Sequence, residues 1–509
     1  MANSESRLKK ATYSVALLAL YQITVFVCNL ILPRFILVAY GSEYNGIISS
    51  ITQFLNFISI LRLGVAGATR VELYKSLATN NTKKTSSIIR ATEIFMRKVA
   101  RIFILYLTAI AIFYPFIINS TYSWIEIASL TIIIGAGTFA QYFFGITYST
   151  LLQADQKLYI YNILQIVATI SNTVLACLLI NLGCSIQVVK LGSAVVFTIS
   201  PLVLNRYVTK YYNLDKSQEP DNTALKYRGD AAAHSIANII HENTDIVVLA
   251  LLTDVKIVSV YTVYNLVMNG LKQLMTVFTL GLESAFGDMW VKNEIDKMYK
   301  NLNAFEYLIF TFVSIVFSCA AVLILPFVRI YTAGVTDVEY IVPSYAALAV
   351  LAQAFYCIRL PYITIVQAAG HYKETKNGAF IEAIINITLS VVLTIPFGMI
   401  GVVIGTLSAN VFRTVQYAYY SSKHLLPRRL SIVVKKIVWT LLNGNVSIIL
   451  YYAIMTLFGF CIKNWLDWVI GGIICGGLSV MVWLISSIIF YRKDLRQSIE
   501  LAKRIVFKK

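Results

Sequence analysis

Residues 240–247, which read IHENTDIV, place ionisable side chains inside an apolar stretch long enough to cross a bilayer. His241 and Asp245 are four residues apart and would share one face of a helix, with Glu242 beside it. A charged group at the bilayer centre costs about 2.5–3.5 kcal/mol, so such groups face a cavity or a partner. Two interpretations stay open: a hydrogen-bonded network between helices, or a functional site. The H-E-x-x-D order lacks the second histidine of a zinc peptidase, which argues against a metal site.

A second polar stripe follows in the next apolar segment. Asn265, Asn269 and Lys272 are spaced four and three residues apart and fall on one helical face. Lys272 lies about 14 residues from the outer end of its predicted span, too deep for its ammonium to reach the headgroups with ease. We therefore favour a functional role for Lys272. An ion pair between Glu242 and Lys272 is a hypothesis based on their similar depth in antiparallel spans.

The first two apolar segments and a later one also carry polar groups. Asn29 and Arg34 lie in the first segment, and Asn56 and Arg62 lie in the second. Arg34 and Arg62 are near segment ends, so headgroup contact and substrate binding both stay open for them. Arg359 lies in the inner half of a later segment. Polar stripes on several helices predict one hydrated cavity that these helices share.

These side chains belong to a chain that is mostly apolar. The sequence has 509 residues, of which 58% are hydrophobic and 13% are charged, a smaller polar share than a soluble protein needs. Apolar runs of about 20 residues recur along it, each long enough to span about 30 Å of hydrocarbon, without the alternation of barrel strands. The sequence therefore predicts an all-α polytopic membrane protein. We predict about fourteen transmembrane helices, at residues 13–38, 44–67, 99–118, 124–150, 159–181, 186–208, 232–253, 257–288, 303–332, 339–367, 378–397, 400–421, 437–462 and 466–490.

Basic residues are concentrated in alternate connectors between these spans. Residues 75–90 and 423–436 are rich in lysine and arginine, whereas residues 119–123 have neither. The positive-inside rule predicts that the basic connectors and both termini are cytoplasmic. Residues 70–101 are expected to form an amphipathic helix partly on the inner surface. The net charge of +18 is explained by this bias and by anionic lipids, so no nucleic-acid partner is predicted.

The two halves of the chain are similar in sequence. YSTLLQA at 148–154 matches YITIVQA at 362–368 in its Tyr, Thr, Gln and Ala, and further Tyr and Gly spacings agree. Parallel repeats are typical of transporters with a substrate path between the halves. We predict two parallel six-helix lobes followed by two C-terminal helices. The predicted boundaries are 1–208 for the N-lobe (spans 1–6), 209–231 for a cytoplasmic linker, 232–422 for the C-lobe (spans 7–12) and 423–509 for spans 13 and 14 with a basic tail.

Enzymatic motifs are not apparent in the sequence. It has no P-loop and no G-x-S-x-G motif, and the seven cysteines show no paired spacing. The sequence therefore predicts a protein that is not an enzyme and has no resident cofactor.

Two stretches carry a resemblance to a known family. Residues 40–78, YGSEYNGIISSITQFLNFISILRLGVAGATRVELYKSLA, resemble span 2 and the following loop of the polysaccharide-unit (O-antigen, Wzx-type) flippases. Residues 148–166, YSTLLQADQKLYIYNILQI, resemble the turn between spans 4 and 5 of that family. Multidrug extruders and lipid II flippases belong to the same superfamily. The fourteen-span layout is similar over essentially the full length.

The resemblance implies a V-shaped pair of lobes with alternating access. It implies transfer of undecaprenyl-pyrophosphate-linked oligosaccharide units from the inner to the outer leaflet, with Arg34, Arg62 and Lys272 attracting the pyrophosphate. The family pattern is cationic, so the acidic Glu242 and Asp245 depart from it. With His241 they suggest an ion pair or a site for a coupling ion, H⁺ or Na⁺.

Chemical logic agrees with this resemblance. Cations in a cavity of low dielectric offset the desolvation of a pyrophosphate. Arg359 and the amides of Asn29, Asn56, Asn265 and Asn269 complete the predicted substrate-binding set, since amides hydrogen-bond sugars.

Two alternative functions are weighed against the flippase. A cation or drug antiporter of the same superfamily would have a pocket dominated by acidic groups, and a membrane-embedded polysaccharide polymerase would need a long outer loop. The expected location is the bacterial inner (cytoplasmic) membrane. The expected partners are the lipid-linked oligosaccharide, the bilayer and other polysaccharide-assembly membrane proteins.

Overall fold

The described part of the chain is built from helices. A computed structural model describes residues 2–62, 65–215, 217–221, 229–277, 279 and 282–496. The predicted all-α polytopic membrane architecture is confirmed. The α-helices are α1 Ala2–Asn56, α2 Val65–Ala78, α3 Thr82–Ile117, α4 Trp124–Ala140, α5 Ile146–Ala154, α6 Leu158–Asn181, α7 Ile186–Tyr211, α8 Gly229–Leu252, α9 Val255–Val277, α10 Leu282–Val291, α11 Ile295–Tyr331, α12 Pro343–Ile358, α13 Leu360–Ala368, α14 Tyr372–Phe397, α15 Met399–Tyr420, α16 Leu430–Leu457 and α17 Trp465–Phe490. Short 3₁₀ and π segments at Phe57–Arg62, Gln141–Gly145 and Ser421–Leu425 extend α1, α4 and α15.

The first helix contains two of the predicted spans. Gly41 interrupts α1 with φ 82° and ψ 178°, a conformation that an L side chain rarely adopts. The apolar stretch from Leu17 to Arg62 has 46 residues, or about 69 Å of helix, roughly twice the hydrocarbon thickness. Gly41 therefore separates span 1 from span 2.

Twelve of the described helical stretches are long and apolar enough to cross a membrane. This number fits the prediction of about fourteen, because Leu17–Arg62 combines two predicted spans and the polar α9 is not among the twelve. The predicted end of span 8 at residue 288 is wrong: α9 ends at Val277, and α10 is a separate helix.

The chain divides into two compact units, one ending at Ser259 and the other beginning at Val260. The first unit contains α1 to α8 and the first residues of α9. The second contains the rest of α9 and α10 to α17. The lobe and linker boundaries inferred from the repeat stay predictions.

The core of the first unit joins α1 to α3, α4, α6 and α7. Ile47, Phe103, Leu130 and Val189 are buried at 0–1% exposure in one apolar cluster. Gly46 in α1 lies directly against the backbone at Val255, the first residue of α9. The elements of this unit are therefore held by close apolar packing.

The core of the second unit is centred on α11. The C-terminal pair α16 and α17 packs on it through Leu323, Tyr451 and Cys475. Ser318 and Ser479 share a hydrogen bond of 2.9 Å, and Trp468 Nε1 donates to the carbonyl of Leu323 at 3.0 Å. The two C-terminal helices are thus an integral part of this unit.

Candidate functional site

An ionic cluster occupies the interior of the second unit. We call it the basic cluster: Lys272, Arg359 and Arg413, with Glu382 and Tyr356. Arg359 and Arg413 are 4% and 2% exposed, and Glu382 is 8% exposed. Charges are rarely buried so completely unless they are paired.

The break between α12 and α13 positions Arg359. α12 ends at Ile358, and α13 begins at Leu360 with Pro361 in its first turn. Proline lacks an amide N–H and disfavours helical conformation in the residue before it, so the helix is interrupted here. Arg359 is the residue at the interruption, and its side chain reaches α14.

Glu382 on α14 bridges two guanidinium groups. Its Oε1 accepts a short hydrogen bond from Arg359 Nη1, and its Oε2 lies 3.2 Å from Arg413 Nε. Arg413 also donates to the Thr375 carbonyl at 3.1 Å and to Tyr417 Oη at 2.6 Å. These bonds satisfy the buried charges and join α12, α14 and α15.

Glycine makes room for this network. A Cβ added at Gly378 would lie 2.4 Å from Arg413 Nη1 and 2.3 Å from Gln416 Nε2. Arg413 Nη1 in turn donates to Gln416 Oε1 at 2.5 Å. The missing side chain at position 378 therefore lets the guanidinium lie against α14.

Tyr356 connects Lys272 to the buried pair. Lys272 Nζ and Arg359 Cζ each lie 4.3 Å from the centroid of its ring. A cation over an aromatic face gains about 0.5–2 kcal/mol, the larger value when water is excluded. The ring thus holds two like charges close together. The cluster contains three basic groups and one carboxylate, and this excess of positive charge suits an oxyanion such as phosphate.

Most of the other predicted binding residues remain accessible. Asn29, Asn56, Arg62 and Asn269 are exposed, whereas Arg34, Asn265 and Lys272 are partly exposed. Arg359 differs from these residues because its side chain is committed to Glu382. The structure brings together Lys272 and Arg359 from the predicted set.

The 240–247 stretch packs mainly within the first unit. His241, Asn243 and Asp245 are buried, whereas Glu242 is exposed. Gln53 Nε2 on α1 donates to Asn243 Oδ1 at 2.6 Å, so this contact joins α1 to α8. That bond fits the hydrogen-bonded network considered above. The coupling-ion site at His241, Glu242 and Asp245 stays a prediction, as does the pairing of Glu242 with Lys272.

A second ionic cluster joins α11 to α16 and to the connector before it. Glu306 is 0% exposed and accepts bonds from Arg428 Nη1 and Lys436 Nζ, both at 3.0 Å. Arg428 also donates to Asn303 Oδ1 at 3.2 Å. Two cations on one buried carboxylate hold the C-terminal pair of helices in place.

Glu382 and Arg413 were not predicted as site residues. The signal was present, because both are ionisable and lie inside predicted spans. Tyr356 gave no such signal, since tyrosines are numerous along this chain.

Comparison with known proteins identifies the fold. No family model matches the chain, and no curated protein matches it. The solved structure of the lipid II flippase MurJ in an inward closed conformation matches with a TM-score of 0.68 and 14% identity, covering 94% of this chain and 98% of that one. An inward-facing multidrug resistance MATE family transporter of the MOP superfamily matches with a TM-score of 0.58 and 13% identity, over 84% and 99% of the chains. A eukaryotic MATE transporter matches with a TM-score of 0.58 and 15% identity, over 86% and 99%. The chain therefore has the fold of these transporters.

Proposed function

We propose that the protein is a flippase that moves lipid-linked oligosaccharide units, carried on undecaprenyl pyrophosphate, across the bacterial inner membrane by alternating access. The basic cluster is the observation that carries this proposal. A pyrophosphate must lose its hydration to leave the membrane surface, and basic groups in an interior of low dielectric offset that cost. The match in fold to a lipid II flippase supports the same class of substrate.

Within the cluster, we assign different roles to Lys272 and Arg359. We assign direct contact with the phosphates to the ammonium of Lys272, which is partly exposed. Arg359 is buried against Glu382 and contributes its positive potential from its place beside the Tyr356 ring. We also assign substrate contacts to Arg34 and Arg62 of the first unit and to the predicted asparagines.

A cation or drug antiporter is the second candidate. The fold matches MATE transporters nearly over their full length, and the buried carboxylates of Asp245 and Glu382 are groups that such a protein could use. The two functions differ in the sign of the charge that they bind. Arg359 and Arg413 already bind Glu382, and they would repel an organic cation.

We further propose that both termini are cytoplasmic and that the partners include other polysaccharide-assembly membrane proteins. We also propose that a coupling ion, H⁺ or Na⁺, drives transport. His241 and Asp245 are the buried ionisable groups of the first unit that we assign to this ion.

Deletion of the gene and complementation in its own host test the flippase. The deletion strain is expected to lose surface glycan and to accumulate the lipid-linked units in the inner leaflet, and the wild-type protein is expected to restore export.

Lys272→Ala should lower export by about 10- to 100-fold, the effect of losing one charge-assisted contact, and Lys272→Arg should keep most of it.

Lys256→Ala is the matched control, because Lys256 lies in the first turn of the same helix. Both variants should be present at wild-type levels in the membrane. Normal export by Lys272→Ala would remove Lys272 from the substrate path, and a deletion strain with intact surface glycan would refute the flippase.

A further inference from the structure

A polar cavity lies inside the first unit, among the 3₁₀ segment Phe57–Arg62, the π segment Gln141–Gly145 and helices α5 to α7. Its volume is about 320 Å³. Small-molecule pockets measure about 300–1,000 Å³, and a water takes up about 30 Å³. The cavity therefore has room for roughly ten waters, or for one sugar ring with a few waters.

Irregular backbone forms part of the wall. The π segment Gln141–Gly145 joins α4 to α5, and Gly145 faces Pro201 of α7 so closely that an added Cβ would lie 3.2 Å from the proline Cβ. π turns are frequent at functional sites, and irregular backbone at membrane depth is tolerated where it lines a cavity. The π segment and the closely packed glycine thus form part of the cavity wall.

The lining is rich in neutral hydrogen-bonding groups. Amides come from Gln141, Gln153 and Gln165, and the hydroxyls include those of Tyr161 and Ser200. Gln165 is 5% exposed, and its amide makes a long bond of 3.4 Å to Ser200 Oγ. A hydrogen bond of this length is weaker than one of ordinary length, so a sugar hydroxyl can replace either partner. Amides and hydroxyls can each donate and accept, which matches the ring hydroxyls of a sugar.

Arg62 gives this lining its formal charge. It ends the 3₁₀ segment, its side chain is exposed, and its Cζ lies 5.9 Å from the ring centroid of the buried Tyr142. A guanidinium binds phosphate through paired hydrogen bonds. The cavity therefore offers a phosphate-binding group next to a set of sugar-binding groups.

We propose that this cavity binds the first sugar of the lipid-linked oligosaccharide, the one attached to the pyrophosphate, with Arg62 on the adjacent phosphate. The amides and hydroxyls of the wall hydrogen-bond the ring. This inference rests on the proposed flippase function and assigns a site for the sugar within it. It predicts that selectivity for the first sugar is determined inside the first unit.

Binding to the full-length protein in lipid nanodiscs tests the site with two probes. One is the glycolipid fraction that accumulates in the deletion strain, and the other is undecaprenyl pyrophosphate without sugar. Wild-type protein should bind the glycolipid more tightly. Gln165→Leu and Gln141→Leu should weaken glycolipid binding about 10-fold, since each removes hydrogen bonds to the ring, and should leave the sugar-free lipid unaffected. Arg62→Gln should weaken both probes, and Arg62→Lys should restore part of the loss.

Two variants serve as controls for misfolding. Gln141 is exposed, so Gln141→Leu leaves the buried core unchanged. Gln22→Leu, which changes another exposed glutamine, on α1, should bind both probes as wild type does. Unchanged glycolipid preference in Gln141→Leu and Gln165→Leu would overturn the sugar site while leaving the flippase intact. A deletion strain that exports normally would instead refute the flippase itself, and this inference with it.

Discussion

Glu382 determines whether two guanidinium groups can remain buried together. Its carboxylate contacts both Arg359 and Arg413 in a region where all three residues are less than 10% exposed. Removing one member of a buried ion network leaves an uncompensated charge, which costs about 3–5 kcal/mol. We therefore expect Glu382→Gln to lower the free energy of unfolding by about that amount, measured by thermal or denaturant unfolding in detergent.

Two comparisons make this expectation specific. Lys272→Ala should change stability far less, because Lys272 is partly exposed. The double variant Glu382→Gln with Arg413→Gln should be less destabilised than the sum of the two single variants, since the charges are removed together. Additive effects would show that Glu382 and Arg413 do not interact in the folded protein.

Asp494, which lies beyond the last predicted span, gives a pH-dependent effect. Burial raises the pKa of its carboxyl, Lys436 lowers that pKa, and Glu306 raises it further. A carboxyl with a raised pKa favours folding in its protonated form, so its contribution is present below the usual pKa and is lost as the pH rises through the raised value.

Asp494→Asn should therefore stabilise the protein at pH 7. The advantage should shrink as the pH falls below the raised pKa and should vanish below about pH 3, where Asp494 is neutral in both the folded and the unfolded chain. Melting temperatures of the two proteins across this pH range provide the measurement. A variant less stable than wild type at pH 7 would instead mean that the attraction to Lys436 dominates.

At the scale of the elements, close packing of α1 and α9 depends on a glycine. A Cβ on Gly46 would lie 1.9 Å from the carbonyl oxygen of Val255, which is backbone and cannot turn aside. Gly46→Ala should cost about 1–3 kcal/mol of stability, as overpacking usually does. Gly67 in α2 has open space at the same position, so Gly67→Ala should be neutral or gain up to about 1 kcal/mol. Equal unfolding midpoints for the two variants would contradict the contact.

The helices were predictable from the sequence because apolar runs of about 20 residues are a strong signal. The positions at which the helices are interrupted were harder to predict. Gly41 marks the end of span 1, but a glycine by itself does not distinguish a turn from a close helix contact such as that at Gly46. The division of the predicted span 339–367 at Arg359 follows from Pro361, which the hydrophobic pattern alone does not register.

The binding site was predictable only in part. Lys272 and Arg359 stood out because a charge inside an apolar run is costly and rare. The same argument applies to Glu382 and Arg413. Their pairing, however, depends on how α14 packs against α15, and this contact cannot be inferred from the local sequence of either helix. The sugar cavity is harder still, since its neutral lining groups are common in transmembrane helices and the π turn at 141–145 has no simple sequence signature.

At the scale of the whole molecule, the fold is shared by proteins with different substrates. A lipid II flippase and multidrug MATE transporters match this chain over most of its length at 13–15% identity. The helical framework therefore allows both functions, and the chemistry of the interior separates them. Interiors with an excess of basic groups bind anions, and those with free carboxylates bind cations.

This difference predicts that the protein does not export cationic drugs. Expression in a strain that lacks its own multidrug extruders should leave ethidium accumulation unchanged, because the carboxylate of Glu382 is already occupied by Arg359 and Arg413. A MATE transporter expressed in the same strain serves as the positive control and should lower accumulation. Reduced ethidium in cells that carry this protein, restored to the vector level by Asp245→Asn present at wild-type levels in the membrane, would identify an antiporter. Unchanged ethidium, together with glycan export that depends on Lys272, would instead assign the basic interior to an anionic glycolipid.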